Sequence, residues 1–284
     1  MSTNNKWLLE HAANVHSQAG EDGIIAKVLE VIGAPTKWCV EFGAWDGKYL
    51  SNTYNLIANR GFSAVMIEGS SKRHRDLVAT FKDNPGVIAL HAFVGFTTDD
   101  RLDTILARTP IPVEFDVLSI DIDGNDYHVW KAMTDYRPRV VVIEYNPTVP
   151  NAVDFVQPAD MKINQGASLS SQAKLGKEKG YELVSVTEHN CIFVQAELFP
   201  LFDIADNSIG ALRPNENMVT YVFNGFDGTV FVRGSGKLGW HNTPYRESRL
   251  QHLPKFMRKF PDTHGPFLRF FSKHYRSLKK RRWL

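Results

Sequence analysis

The run Cys39-Val40-Glu41-Phe42-Gly43-Ala44-Trp45-Asp46-Gly47 constrains this chain more than any other feature, together with Val65-Met66-Ile67-Glu68-Gly69 downstream. The first run reads as a strand that enters a glycine turn. The second reads as a short strand that ends on a carboxylate. Gly43 and Gly47 carry no Cβ, so the backbone there can pass close to a ligand. A carboxylate one strand later can accept hydrogen bonds from both hydroxyls of a ribose. The pair predicts a nucleoside-binding edge of an α/β sheet.

The rest of the first 200 residues alternates strands with helices. Apolar residues at Ile24, Ile25, Val28, Leu29 and Ile32 have helical spacing, which predicts a helix over 21–32 that ends at Gly33. Strands are predicted over 37–42, 64–67, 87–94, 115–120 and 140–144. Helices are predicted between them over 52–59, 72–81, 101–107 and 127–133. The strands at 115–120 and 140–144 are almost continuously apolar, as strands covered on both faces are. A helix over 167–179 then leads to strands 181–186 and 192–195, whose short turn predicts antiparallel pairing. The fold class expected is therefore α/β. It is a Rossmann-like, mostly parallel sheet with helices on both faces and an antiparallel terminal hairpin. Ligands on such sheets bind at the carboxyl ends of the strands, and Asp46, Glu68, Asp121 and Glu144 all fall there.

Beyond this the chain changes character. A short helix over 197–203 and a small hairpin over 219–232 are expected. Residues 255–284 hold ten Lys or Arg against one acid, Asp262, so this stretch carries +9 while residues 1–254 carry −7. The expected organisation is a catalytic domain over 1–200, a hairpin-bearing extension over 201–254 and a basic, aromatic tail over 255–284. Phe267, Phe271, Tyr275 and Leu278 fall on one helical face of the tail, opposite Arg269, Lys273, Arg276 and Lys280. That pattern suits docking on the domain first and an anionic membrane surface second, with nucleic acid the least favoured partner. No run of eighteen apolar residues suggests a membrane span and no leader pattern is read, so the expected location is the cytoplasm, or the inner face of its membrane through the tail. Cys39 and Cys191 sit in apolar strands and are expected as free, buried thiols.

Several phrases carry a family resemblance. They are Ser17-Gln18-Ala19-Gly20-Glu21-Asp22-Gly23, Val40 to Gly47, Ser51-Asn52-Thr53, Ser119-Ile120-Asp121-Ile122-Asp123-Gly124-Asn125-Asp126 and Ile143-Glu144-Tyr145-Asn146. In this order the chain resembles the class I S-adenosylmethionine-dependent methyltransferases, and within them the FkbM-like branch, over about residues 14 to 195. The resemblance implies S-adenosylmethionine as cofactor and a sugar, glycan or small hydroxylated metabolite as acceptor. It implies that Glu41, Gly43, Asp46 and Gly47 line the cofactor and that Glu68 holds its ribose. Gln18, Ser51, Asn52 and Thr53 would sit near its carboxylate or at the mouth of the site. No third glycine completes a G-x-G-x-x-G register, so a dinucleotide is disfavoured.

The acids form the second half of the expected site. Asp121, Asp123 and Asp126 follow one strand, and Glu144 and Asn146 arrive at the end of the next. Asp123 or Asn125 could serve as a helix N-cap, but capping does not explain the whole group. Crowded carboxylates need a cation or protons to relieve them. Asp121, Asp123, Glu144 and Asn146 are therefore candidate ligands of a hard divalent ion such as Mg²⁺. A similar layout occurs in catechol-type O-methyltransferases, although there acid and Asn follow directly. Without a metal, Asp121 or Asp123 would orient or deprotonate the acceptor. Asp126 and His128, on the following helix, complete the catalytic candidates. His16, Tyr49 and Trp45 border the presumed mouth. The stretch 147–166 reads as either a lid or a passive surface loop. Two other readings remain open at this stage. One is a metal-dependent hydrolase or phosphoesterase built on the acids, and the other is a non-catalytic, membrane-attached binding module.

Overall fold

The computed structural model describes residues 4–280, which form two compact units divided between Asn215 and Glu216. The first unit holds the expected α/β sheet. Its strands are β1 (Trp38–Phe42), β2 (Ser63–Glu68), β3 (Val87–His91), β4 (Val117–Ile120), β5 (Val140–Glu144), β6 (Tyr181–Val186) and β7 (Asn190–Gln195). They lie in the order β3-β2-β1-β4-β5-β7-β6, with β7 antiparallel to both β5 and β6 and the other pairs parallel.

The helices are α1 (Glu21–Ile32), α2 (Tyr54–Arg60), α3 (Ser71–Thr80), α4 (Leu102–Leu106), α5 (Asp126–Ala132), α6 (Leu169–Glu178) and α7 (Ile209–Leu212). From β1 the chain runs outward through β2 to β3, then returns to β4 and runs the other way to β5. Right-handed crossovers in the two directions put α2 and α3 on one face and α4 and α5 on the other. β1 and β4 are thus the neighbours at which the winding reverses, and the crevice beyond their carboxyl ends is where such sheets take ligands.

The sheet is held by apolar burial above and below. All four residues of β4 and all six of β7 are buried. Trp130 of α5 is fully buried against Phe193 and Tyr181, with ring centroids 5.1 and 5.8 Å away. Gly176 of α6 lets that helix close on the same cluster, since a Cβ there would come within 2.6 Å of the Phe193 ring. Cys39 and Cys191 are buried and free.

A buried carboxylate ties the amino ends of the central strands. Oδ2 of Asp116 accepts from the amides of Thr36 and Lys37 at 3.1 and 2.6 Å and from the Thr36 hydroxyl at 2.8 Å. Its Oδ1 faces Arg139 Nε at 3.6 Å, and Arg139 Nη2 donates to the carbonyl of Ile32.

Local differences from the expected elements have local causes. α2 begins at Tyr54 because Ser51, Asn52 and Thr53 are bound to Glu41 in the preceding turn. α6 begins at Leu169 because the Ser168 hydroxyl caps it by accepting from the Ser171 amide. β3 ends at His91, the residue that pairs with the last residue of β2. Residues 199–202 form a single 3₁₀ turn rather than a longer helix. Residues 201–215 belong with the first unit: the Trp7 indole donates to Phe202 O and Lys6 Nζ to Arg213 O.

The second unit contains a hairpin of β8 (Thr220–Asn224) and β9 (Val230–Gly234), a small pair of β10 (Lys237–Leu238) and β11 (Thr243–Pro244), a turn of helix α8 (Glu247–Leu250) and α9 (Pro266–Lys280). Among the described residues no helix is long and apolar enough to cross a membrane.

Replacing Asp116 by Ala should lower the unfolding free energy by about 3 kcal/mol, because it removes the acceptor of two part-buried amides and the buried carboxylate that faces Arg139. Urea denaturation measures this. A loss below about 1 kcal/mol would show that the amino-end network is dispensable.

Candidate functional site

The crevice at the β1–β4 reversal is built first by the glycine turn. Gly43 is exposed and has φ +72°, and a Cβ on it would lie 1.8 Å from Asp121 O, so the ends of β1 and β4 are pressed together there. Gly47 serves a different need. It is buried with φ +78°, and a Cβ there would strike Leu77 and Phe81, so this glycine lets the turn pack on α3. Between them Trp45 donates its amide to Glu68 Oε2 at 2.8 Å. Glu68 Oε1 accepts from the Ser70 amide at 2.6 Å. Glu68 is thus fixed by two backbone donors. An ionised carboxylate offers about four acceptor positions, so about two remain for a ligand. Asp46 is occupied within the turn, accepting from the amides of Lys48 and Tyr49. The Trp45 ring is half exposed and lies under the Arg73 guanidinium at 3.9 Å.

Glu41 is buried and points into the first loop after the turn. It accepts from the Ser51 hydroxyl at 2.5 Å, the Thr53 hydroxyl at 2.6 Å and the Asn52 amide at 3.0 Å. Burial raises its pKa and the Ser51 and Thr53 hydroxyls work against that rise. Asn52 then reaches across to the Ser119 hydroxyl of β4 at 3.1 Å. Glu41, Ser51, Asn52 and Thr53 therefore form one buried cluster that fixes the floor of the crevice.

The loop before α1 is equally constrained. Asp22 Oδ2 accepts from the amides of Val15, His16 and Ser17 at 2.9, 2.6 and 2.7 Å. Glu21 accepts from the Ala19 amide, the Thr187 hydroxyl and Asn190 Nδ2, which fastens this loop to the β6–β7 turn. His16 packs edge-on against Tyr54 at 4.4 Å, next to the Ser51–Thr53 cluster in sequence. Gln18 is exposed on this loop, and Asn14 donates to its carbonyl. Glu21 and Asp22 stand in a phrase that carries the resemblance but were given no role, although an acidic pair at the first turn of a helix could have suggested loop anchoring.

Across the reversal point stand the acids. Asp121, Asp123 and Glu144 bring one carboxylate oxygen each within 4.8 Å of one another. Burial, then the charges of Asp121, Asp126 and Asp123, push Glu144 up to about 10. Burial, then Asp126, Asp123 and Glu41, hold Asp121 well above the usual carboxylate range. Asp126 is raised less, to about 6, because burial is opposed by the amides of Ile122 and Gly124 that donate to it at 2.8 and 2.9 Å. Asp126 thus shapes the loop that carries Asp123, which sits at φ +55°.

Two sequence candidates have side-chain atoms bonded elsewhere. Asn146 Oδ1 accepts from the Thr148 amide and hydroxyl, and its Nδ2 donates to Gln165 O, so its side chain closes a turn. His128 Nε2 lies 2.8 Å from Gln157 O. Asn125 precedes α5 without capping it. Its Nδ2 donates instead to the carbonyls of Asp160 and Ile163.

The 147–166 stretch is stitched down by buried amides. Buried Gln157 gives Nε2 to Ile163 O and takes the amides of Gln165 and Gly166 on Oε1. Asn164 donates to Asp123 O. Buried Arg213 donates to the carbonyls of Pro147 and Val149 from below. Asn125 and Asn164 thus tie the stretch to the loop that carries Asp123.

No protein-family model and no curated protein matches this chain. Solved structures do match. The N-terminal domain of EvdMO1 with bound S-adenosylhomocysteine is 12% identical over 61% of this chain and 79% of that one, with a TM-score of 0.38. A SAM-dependent methyltransferase from Aquifex aeolicus is 10% identical over 60% and 87%, with a TM-score of 0.36. Magnesium protoporphyrin IX methyltransferase from Synechocystis PCC 6803 with bound SAM is 10% identical over 62% and 77%, with a TM-score of 0.37. Likeness of this degree does not extend to activity or substrate.

The raised acids make stability depend on pH in a defined direction. Asp121 and Glu144 crowd one another, so the folded pair keeps a proton, on Glu144, that the unfolded chain releases near the ordinary carboxylate range. Stability should therefore be greatest below about pH 4.5 as far as these groups are concerned and decline as pH climbs toward 10. Glu144→Gln should flatten that decline and stabilise the protein at pH 9. Urea denaturation of both proteins from pH 5 to 9 in a chelator reads the slopes, and parallel curves would contradict the assignment.

Proposed function

We propose that this chain transfers the methyl group of S-adenosylmethionine to an oxygen nucleophile. The observation that carries the reading is Glu68, fixed by two backbone amides with acceptor capacity to spare, on the cofactor side of a crevice that has ionisable acids on the other side. A hydrolase built on the acids alone has no use for that arrangement.

In this reading the ribose hydroxyls donate to Glu68. Exposed Gly43 admits the cofactor close to the strand ends. The Glu41 cluster keeps Ser51, Asn52 and Thr53 from moving into the crevice. The cofactor supplies an electrophilic methyl group on a sulfonium. The chain's task is to align the acceptor and take its proton. Asp121 is the preferred acceptor of that proton, with Asp123 and Glu144 holding the hydroxyl beside it. As the new O–C bond forms, the S–C bond to the methyl group would break and leave a neutral thioether, while the hydroxyl proton passes to ionised Asp121.

Asp121, Asp123 and Glu144 also fit a hard cation such as Mg²⁺, since three carboxylate oxygens converge and their charges are mutually unfavourable. They would hold it without Asn146, and it would lower the pKa of a bound hydroxyl. Following the FkbM-like resemblance, the acceptor class is a sugar or glycan hydroxyl, or a small hydroxylated metabolite.

Isothermal titration with S-adenosylmethionine tests the cofactor half. Glu68→Ala should weaken binding at least about ten-fold, the value of one lost charge-assisted hydrogen bond. Unchanged affinity, or no binding by the wild type at about 1 mM, a concentration that registers even weak affinity, would overturn the reading. Asp121→Asn should leave cofactor affinity intact and cut turnover by about 10²- to 10⁴-fold. A chelator that leaves turnover unchanged would remove the cation.

A further inference from the structure

The methyl-transfer reading does not use the second unit, which has a surface of its own. Residues 216–284 carry fourteen Lys or Arg against four Asp or Glu, a net +10, while residues 1–215 carry −8. The cationic unit also exposes large aromatic side chains. Phe226, at the tip between β8 and β9, is 91% exposed, and Phe223 beside it is 50% exposed. On α9, Phe267 and Phe270 are 72% and 64% exposed.

α9 spans fifteen residues, about 22 Å of helix. Part of its aromatic face is already covered. Phe271 packs edge-on against Phe256 at 5.6 Å, and the Tyr275 hydroxyl donates to His252 O at 2.7 Å. Phe267 stacks on Phe271 and Phe270 lies against His274 within the helix, both still mostly exposed, while Arg269 and Lys273 are exposed on the opposite side. The side chains of Arg276, Leu278 and Lys280, named in the sequence pattern, lie outside the described ones.

We propose that this unit docks on a bilayer rich in anionic lipid. Phe226, Phe267 and Phe270 enter the interface, and the lysines and arginines supply attraction to the headgroups. A helix with aromatics on one face and cations on the other is the form taken by interfacial helices. Each nearby cation adds to the attraction of a negative leaflet, and long Lys and Arg stems let the charges reach it. Single-stranded nucleic acid instead requires cations and stacking aromatics in one groove, which α9 separates by its two faces. Exposed Phe side chains on a strongly charged module also need an apolar partner. The inference is independent of the methyl-transfer reading, since the second unit supplies every residue in it.

The test is co-sedimentation of the full chain with vesicles, without S-adenosylmethionine. Binding should be at least about ten-fold tighter to vesicles with about 30% phosphatidylglycerol than to pure phosphatidylcholine, and should weaken as salt rises from about 0.05 to 0.5 M. Phe267→Ser with Phe270→Ser should cost about ten-fold or more. Arg269→Glu with Lys273→Glu should weaken the preference for anionic vesicles. All four positions are exposed, and circular dichroism confirms that the variants fold. No binding to anionic vesicles, equal binding to neutral ones, or binding indifferent to both variants would overturn the proposal. So would loss of a dimer in the Phe variant without vesicle binding by the wild type, which would assign the face to a second copy. Binding to a single-stranded oligonucleotide in place of vesicles would equally overturn it.

Discussion

Negative charge crowded at the carboxyl ends of parallel strands is the constraint on which this site depends. β1, β2, β4 and β5 deliver Glu41, Glu68, Asp121 and Glu144 to one edge of the sheet. Buried carboxylates that share a site cannot all ionise without donors, cations or protons. The chain answers this in two ways. Glu41, Glu68 and Asp126 are met by backbone amides and hydroxyls. Asp121 and Glu144 are left to repel one another, and their pKa values rise.

That division separates scaffold from chemistry. A carboxylate already met by two or three donors is a good positioner and a poor base. Asp22 organises the loop before α1 in this way, and Asp126 organises the turn that bears Asp123. A carboxylate held above its usual range can carry or take a proton near neutral pH. Asn125, Gln157 and Asn164 bind residues 147–166 together and to the loop that bears Asp123.

The sheet was legible because its central strands are buried on both faces and so read as nearly continuous apolar runs, Val140 to Ile143 without a break and Val117 to Ile120 broken only by Ser119. The place of Glu68 was legible because it closes the apolar run Ala64 to Ile67. The acids after β4 were legible as a group but not as roles. Sequence could not show that Asp126 turns back to its own loop, or that Asn146 and His128 are spent on residues 148, 165 and 157. Gly43 and Gly47 looked alike, yet one answers to the carbonyl of Asp121 and the other to a helix thirty residues on. Glu21, Gln157 and Arg213 were illegible for the same reason. Their partners are distant in sequence, and no periodicity records a long-range polar contact.

The central claim is that one crevice joins a nucleoside half at Glu68 to a proton-accepting half at Asp121. A crystal structure with S-adenosylhomocysteine tests it most directly. The account predicts that the ribose hydroxyls contact both oxygens of Glu68, with the homocysteine sulfur directed toward Asp121 across exposed Gly43. A nucleoside bound away from Glu68, or a sulfur directed away from the acids, would contradict it.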